Sequence, residues 1–116
     1  MSTKFYIIIR TQFEGCHYWK DAPLEVDFLR APHRHIFHVE VKLPVSHNDR
    51  ELEFFLVKRF LDDAIDKLYP SFELKNKSCE MIAEEIHKAI QDKFGFKKDV
   101  SVSVSEDNEN GSVVET

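Results

Sequence analysis

The sequence predicts a single α+β domain over residues 1–116, with the element order ββααββ. Two observations lead to this prediction. Apolar residues alternate with a period of two towards both ends of the chain, which is typical of strands, and recur with the helical period in the middle. A chain of 116 residues has the usual length of one domain and can bury a core without disulfides.

The N-terminal part predicts two strands. The first is expected over Phe5–Phe13, with an extension to His17. Its odd-numbered residues form a mainly apolar face, and Tyr6 and Ile8 make the opposite face apolar near the start of the strand. The second strand is expected over His35–Leu43. A strand that is apolar on both faces is usually covered on both. Because two helices cover only one face, we expect self-association to cover the other.

The middle of the chain predicts two helices. The first is expected over residues 50–68, with Phe55 and Leu56 among its core-facing positions. The second is expected over residues 78–94. Ser78 is a suitable N-cap for it, and Gly95 stands where a C-terminal glycine is common.

The C-terminal part predicts a hairpin that completes a four-stranded antiparallel sheet. Valine alternates with serine over residues 100–105, and residues 112–115 form the returning strand. The dipeptide Asn110-Gly111 predicts a two-residue turn between them.

Charge and composition exclude several classes of protein. The net charge of −5 argues against a nonspecific nucleic-acid binder, which needs a basic surface. No apolar run is long enough for a membrane span, and residues 5–9 are too short for a signal peptide. Cys16 and Cys79 lie too far apart for a metal-binding pair. We expect reduced thiols in a cytoplasmic protein without a nucleic-acid or membrane partner.

Three histidines are candidate metal ligands. His33 and His35 are two residues apart at the start of a strand, so their side chains share a side, and His17 ends the preceding strand. If the two strands pair antiparallel, the three imidazoles converge. Three nitrogen ligands suit zinc and leave a fourth position for water or substrate. The alternative is that all three are surface histidines.

The other histidines are interpreted differently. His38 has the opposite parity and is expected to face solvent or another subunit, whereas His47 and His87 are expected at the surface.

Two segments of the chain resemble a known family. Phe13-Glu14-Gly15-Cys16-His17 and the run from Pro32 to Val39, which contains His-Arg-His, are similar to motifs of the 6-pyruvoyltetrahydropterin and 6-carboxytetrahydropterin synthases. That resemblance implies the tunnelling fold, zinc bound by His17, His33 and His35, and assembly into trimers that stack as hexamers with active sites between subunits. It also implies a lyase acting on a dihydropterin-type substrate.

Two carboxylates match further positions of the family. The family has the motif Pro-Thr-Ser-Glu-Asn at the start of its second helix, and Glu80 matches the glutamate of that motif. Glu106 matches the family's glutamate that holds the amino-pyrimidine edge of the pterin. Glu106 also shares the parity of the preceding valines. A carboxylate on an apolar face needs a partner, and a guanidine-like edge would satisfy both its oxygens. The alternative is a frayed strand end with Glu106 in water.

The chain departs from the family at the catalytic base. Leu29 stands where the family has its catalytic cysteine, and Arg30 where a variant subgroup has a glutamate. Leu61-Asp62-Asp63 is the candidate remnant of the family's Leu-Asp-His motif, with Asp63 in place of the histidine. The alternative is that Asp62 and Asp63 are plain helix surface. Asp27, or its neighbours Glu25 and Asp21, would be a substitute carboxylate base.

Three hypotheses follow from these features. The first is a zinc-dependent enzyme that abstracts a proton from a dihydropterin-type substrate with a non-standard base. The second is a degenerate relative that binds a pterin- or purine-like heterocycle without turnover. The third is an oligomeric scaffold without a ligand.

Overall fold

The computed structural model describes residues 3–116, which form one sheet and two helices. In chain order the elements are β1 (Phe5–His17), β2 (His33–Val45), α1 (Phe54–Leu68), β3 (Glu73–Lys75), α2 (Cys79–Phe94), β4 (Ser101–Glu106) and β5 (Gly111–Glu115). Short 3-10 helical segments, Leu24–Leu29 and Pro70–Phe72, precede β2 and β3. The predicted α+β class is therefore confirmed.

The sheet has five strands in the order β3-β1-β2-β4-β5. Four of them form the predicted antiparallel arrangement, whereas β3 pairs in parallel with the end of β1. The prediction of four strands omitted β3 because three residues are too few to show an alternating pattern. This short strand matters for function, since it lies beside the end of β1, where His17 stands.

β1 and β2 pair along their full lengths, from Phe5 opposite Val45 to His17 opposite His33. β2 is therefore longer at both ends than predicted, and it includes Pro44. β4 pairs with β2 only as far as Lys42, so Pro44 has a strand on one side alone. A proline without an N–H is tolerated where a strand has a free edge.

The core lies between one face of the sheet and the two helices. The inward side chains of β1 and β2 follow the predicted parity, and the valines of β4 are buried with them. The sheet residues of this core are Ile9, Phe13, Phe37, Val39, Val41, Leu43, Leu74, Val102 and Val104. The helices add Val57, Leu61, Ile65, Cys79, Ile82, Ala83, Ile86 and Ile90.

α1 starts later and faces the core differently than predicted. It begins at Phe54, after Glu53, whose carboxylate accepts hydrogen bonds from the backbone N–H groups of Phe55 and Leu56. Its buried positions follow i, i+4 spacing from Val57, which turns Phe55 and Leu56 towards solvent. The prediction that these two side chains face the core was wrong, because both are exposed.

α2 matches its prediction at both ends. The hydroxyl of Ser78 accepts a hydrogen bond from the backbone N–H of Met81, and Gly95 ends the helix with φ of 74°. The surface prediction for His87 was wrong, because its side chain is buried. The Nε2 atom of His87 lies 3.2 Å from the hydroxyl of Thr116, which supplies its polar partner.

The C-terminal hairpin turns earlier than predicted. Residues 107–110 form the turn, whereas Gly111 lies in β5 opposite Ser105. Asp107 and Asn108, rather than the predicted Asn-Gly dipeptide, form the centre of this turn, and both have positive φ values. This difference places Asp107 next to the start of β2, because its backbone N–H bonds to the carbonyl of Ile36.

The outer face of the sheet is mixed in character. Tyr6 is half-buried beneath the ammonium group of Lys42, 4.1 Å from the ring centroid, whereas Ile8 is exposed. Further along β1 this face becomes polar. Self-association through the outer face stays a prediction. No helix within residues 3–116 has the length and apolar character needed to cross a membrane.

Candidate metal centre

The pairing of β1 with β2 brings three histidines together. His17, the last residue of β1, lies opposite His33, the first residue of β2, and His35 follows two positions later on the same side. One ring nitrogen from each residue lies within 4.8 Å of the other two. The predicted convergence of the three imidazoles is therefore found, and the spacing fits a single metal ion.

Hydrogen bonds fix the same tautomer on all three rings. The Nδ1 atoms of His17 and His33 lie 2.8 Å from the carbonyl oxygen of Lys77 and 2.9 Å from that of Ala31. A carbonyl oxygen only accepts, so both imidazoles must donate from Nδ1. The Nδ1 of His35 donates in the same way to a carboxylate oxygen of Asp107, at 2.7 Å. Each ring therefore presents the lone pair of Nε2, as metal-ligating histidines do.

The free nitrogens face each other and a carboxylate. The Nε2 atoms of His17 and His35 are buried without a hydrogen-bond partner. An oxygen of Glu106 lies 3.1 Å from the first, but neither an imidazole lone pair nor a carboxylate donates a proton. Burial lowers the pKa of His17, against the raising influence of the Lys77 carbonyl and of Glu106. Lone pairs pointing at one buried place need a cation, and the residues present fit a metal ion.

A cavity of about 510 Å³ opens beside the histidines, within the usual range for small-molecule sites. Its wall includes His17, His33 and Glu106, together with Cys79 and Glu80 from the first turn of α2. Its wall also includes Trp19 and Leu29 from the segment between β1 and β2, as well as Ser112 from β5. Two of the three candidate metal ligands, His17 and His33, thus stand in the wall of a space that is large enough for a small ligand.

The cavity includes both predicted binding carboxylates. Glu106 ends β4 on the inner side, as its parity predicted, and faces the histidines. Glu80 lies in the first turn of α2, and its carboxylate accepts a hydrogen bond of 2.9 Å from the hydroxyl of Ser112. Both side chains are therefore placed where a ligand in the cavity can reach them.

Neither of the two candidate bases, Asp27 and Asp63, lines the cavity of its own chain. Asp27 is exposed in the 3-10 segment before β2 and does not line the cavity. Asp63 is exposed on α1, where its carboxylate lies 3.7 Å from the ammonium group of Lys67. Its neighbour Asp62 accepts a hydrogen bond of 2.6 Å from Thr11. Leu29, by contrast, does line the cavity.

The thiol of Cys79 also lines the cavity but is poorly suited to act as a base. It is buried, and burial raises its pKa to about 12, with the carboxylates of Glu106 and Glu80 adding to the shift. A thiol with so high a pKa is almost entirely protonated near neutral pH.

Asp107 was not among the predicted site residues, although its carboxylate holds two groups of the site. One carboxylate oxygen accepts from His35 and the other accepts from the backbone N–H of Ile36, at 2.9 Å. These two hydrogen bonds lower the pKa of Asp107 below its usual value. The sequence offered one signal, because Asp107 directly follows the candidate residue Glu106. Its role depended on the position of the turn, which was predicted three residues too late.

Solved structures with the same architecture include a 6-pyruvoyl tetrahydropterin synthase. The structure of Caenorhabditis elegans 6-pyruvoyl tetrahydropterin synthase superposes with a TM-score of 0.67 and 12% identity, over 98% of this chain and 96% of that chain. An uncharacterized protein from Wolinella succinogenes superposes with a TM-score of 0.59 and 16% identity, over 96% of this chain and 98% of that chain. No protein-family model and no curated protein sequence matches this chain. The predicted tunnelling fold is thus confirmed by structural likeness.

Proposed function

We propose that this protein is a zinc-dependent relative of the 6-pyruvoyltetrahydropterin and 6-carboxytetrahydropterin synthases, which acts on a dihydropterin-type substrate by metal-assisted proton abstraction. The observation that carries the proposal is the set of three imidazoles whose Nδ1 atoms all donate hydrogen bonds to protein oxygens. Their Nε2 lone pairs are directed to one place beside a cavity. The structural likeness to the C. elegans synthase supports the substrate class.

Zinc is the metal that this set of donors favours. Three neutral imidazoles with an open fourth position are the ligand set of many catalytic zinc sites. When bound, zinc would polarise a side-chain oxygen of the substrate and so favour loss of the proton from the adjacent carbon. His17, His33 and His35 hold the metal in this proposal. The Lys77 carbonyl, the Ala31 carbonyl and the Asp107 carboxylate keep their rings in orientation.

The heterocycle would bind in the cavity through carboxylates. In this proposal Glu106 accepts two hydrogen bonds from the amino-pyrimidine edge of the pterin, and Glu80 supplies a further acceptor across the cavity. Both residues line the same space as His17 and His33, so a bound ring lies within reach of the metal.

A second candidate function is binding of a pterin- or purine-like heterocycle without turnover. The observation that favours it is the position of Leu29, an apolar side chain in the cavity wall at the place that the resemblance assigns to the catalytic thiol. Proton abstraction requires a base, which in this chain would be Asp27 or Asp63. Because Asp63 is exposed on α1, it would act on the cavity of a neighbouring subunit in a trimer or hexamer.

The metal assignment is tested by native mass spectrometry of the protein purified without added metal. We expect one zinc ion for each chain in the wild type, and a trimer or hexamer. His35→Ala should lose the metal, whereas His38→Ala should keep it, since His38 lies on the same strand but on the other face. Zinc content that is equal in the two variants would overturn the metal assignment.

Turnover separates the two candidate functions. The zinc-loaded protein is incubated with 7,8-dihydroneopterin triphosphate, and the products are separated by liquid chromatography. Product formation that falls in Asp27→Asn or Asp63→Asn supports the enzyme and identifies its base. Tight binding of the compound without any product supports the binding protein, and absence of both contradicts the pterin assignment.

A further inference from the structure

We propose that Glu106 is the fourth ligand of the metal in the ligand-free protein, so that its carboxylate closes the coordination position which a substrate needs. This inference rests on the proposed metal site but assigns to Glu106 a role other than binding the heterocycle. It makes Glu106 a gate that a ligand must displace.

The first support is the position of the two carboxylate oxygens. Oε2 lies 3.1 Å from the Nε2 of His17, and Oε1 lies 3.8 Å from the Nε2 of His35. Ligand atoms around a tetrahedral zinc ion with ordinary bond lengths are separated by about 3.3 Å. Each oxygen thus lies near one of two histidine nitrogens, close to the separation between two ligands of a shared metal ion.

The second support is the unsatisfied state of both nitrogens. A proton shared between His17 and Glu106 would satisfy one imidazole only, and the buried Nε2 of His35 would keep no partner. One cation among the four side chains satisfies both nitrogens and the carboxylate together. Since the Nδ1 atoms of these rings already donate elsewhere, the Nε2 atom of each neutral imidazole has a lone pair and no proton to offer Glu106.

The third support is the rigidity of the backbone that carries Glu106. Its N–H bonds to the carbonyl of Asn110 across the turn, and its residue position pairs with Phe37 in β2. The following residue, Asp107, is attached to His35 and to the backbone of Ile36. The end of β4 is therefore fastened to the strand that carries two of the three histidines, which holds the Glu106 side chain over the metal position.

Binding of a heterocycle would free the coordination position that Glu106 occupies. A heterocycle that takes both oxygens of Glu106 must remove the carboxylate from the metal, and it thereby opens the fourth position when the substrate arrives. In the absence of a ligand the same carboxylate excludes water from that position.

Titration with Co2+ tests the assignment, because the visible absorption of this ion reports its coordination number and ligand type. The proteins compared are the metal-free wild type, Glu106→Gln and Glu80→Gln, each with its fold checked by circular dichroism. Glu80→Gln is the matched control, since it removes the other acidic side chain of the cavity. His35→Ala reports separately on the histidine site.

We expect Glu106→Gln to bind Co2+ at least about tenfold more weakly, since loss of a direct ligand should cost no less than loss of an outer-shell partner. Its absorption bands should shift as water replaces the carboxylate, whereas Glu80→Gln should match the wild type. Affinity and bands of Glu106→Gln that equal those of Glu80→Gln would overturn the inference and leave the three-histidine site standing. A wild type that binds no Co2+ would overturn the metal site itself.

Discussion

The Nδ1 atom of His35 lies 2.7 Å from a carboxylate oxygen of Asp107, 72 residues later in the chain. The other oxygen of the same carboxylate lies 2.9 Å from the backbone nitrogen of Ile36. Asp107 thus binds the side chain of one residue and the main chain of the next, and so links the orientation of the imidazole to the backbone of β2 at Ile36. Partners of this kind also increase the basicity of a metal-binding histidine.

Replacement of Asp107 by asparagine should weaken metal binding. An amide has one acceptor oxygen and no charge, so it cannot accept from His35 and Ile36 as the carboxylate does. We expect the affinity for zinc to fall by about 10- to 100-fold, the usual effect of losing an outer-shell partner. Competition with a chromophoric chelator measures it.

Glu109→Gln is the matched control for Asp107→Asn, because Glu109 is an exposed acidic residue of the same turn and its backbone N–H bonds to the carbonyl of Glu106. It removes the same charge from the same turn, and its zinc affinity should remain near that of the wild type. Equal losses in the two variants would mean that only the overall charge near the site matters.

Much of the fold and the core of the site could be predicted, because both depend on alternation within strands. The parity that places Phe13 in the core also places His17 beside His33 and His35 once the strands pair. β3 and the turn at residues 107–110 could not be predicted in this way, since neither has a hydrophobic period. Asp107 acts through that turn, so its contact with His35 depended on tertiary structure.

Replacement of Gly15 by alanine should destabilise the protein. A Cβ atom at this position would lie 2.7 Å from a methyl group of Leu74 and 3.1 Å from the ring of Phe37, both fully buried. Overpacking of this kind costs about 1–3 kcal/mol in the free energy of unfolding. Urea denaturation at a fixed protein concentration measures it, and Gln12→Ala, on the exposed face of β1, is the control.

A double substitution tests whether the contact with Leu74 causes the destabilisation of Gly15→Ala. Leu74→Ala removes the methyl group that meets the new Cβ, so the two substitutions together should cost less than the sum of their separate costs. Simple additivity would show that the contact with Leu74 is not the cause of the destabilisation.

Cys79 should be almost inert in the metal-free protein. Its pKa is raised to about 12 by burial, so the thiolate fraction at pH 8 is roughly one in ten thousand, and the thiolate is the reactive form. In Cys16→Ser, which leaves Cys79 as the single thiol, we expect no modification by N-ethylmaleimide on the time scale on which the guanidinium-unfolded chain reacts fully. Mass spectrometry measures the extent of modification of the folded and of the unfolded chain. Equal rates of modification in the folded and unfolded chains would refute the prediction.

Leu29→Cys, in a background with Cys16→Ser, should place a reactive thiol in the wall of the proposed ligand site. The carbonyl of Leu29 accepts a hydrogen bond of 2.8 Å from the backbone N–H of Trp19, so the loop is held by its main chain and should tolerate the change.

A bound heterocycle would cover the new thiol. With 7,8-dihydroneopterin at ten times its dissociation constant, alkylation should slow about tenfold, in proportion to the free fraction. Phe28→Cys, from an exposed neighbour that does not line the cavity, should react at the same rate with and without the compound. If calorimetry shows binding but the Leu29→Cys thiol stays equally reactive, the heterocycle binds elsewhere on the protein.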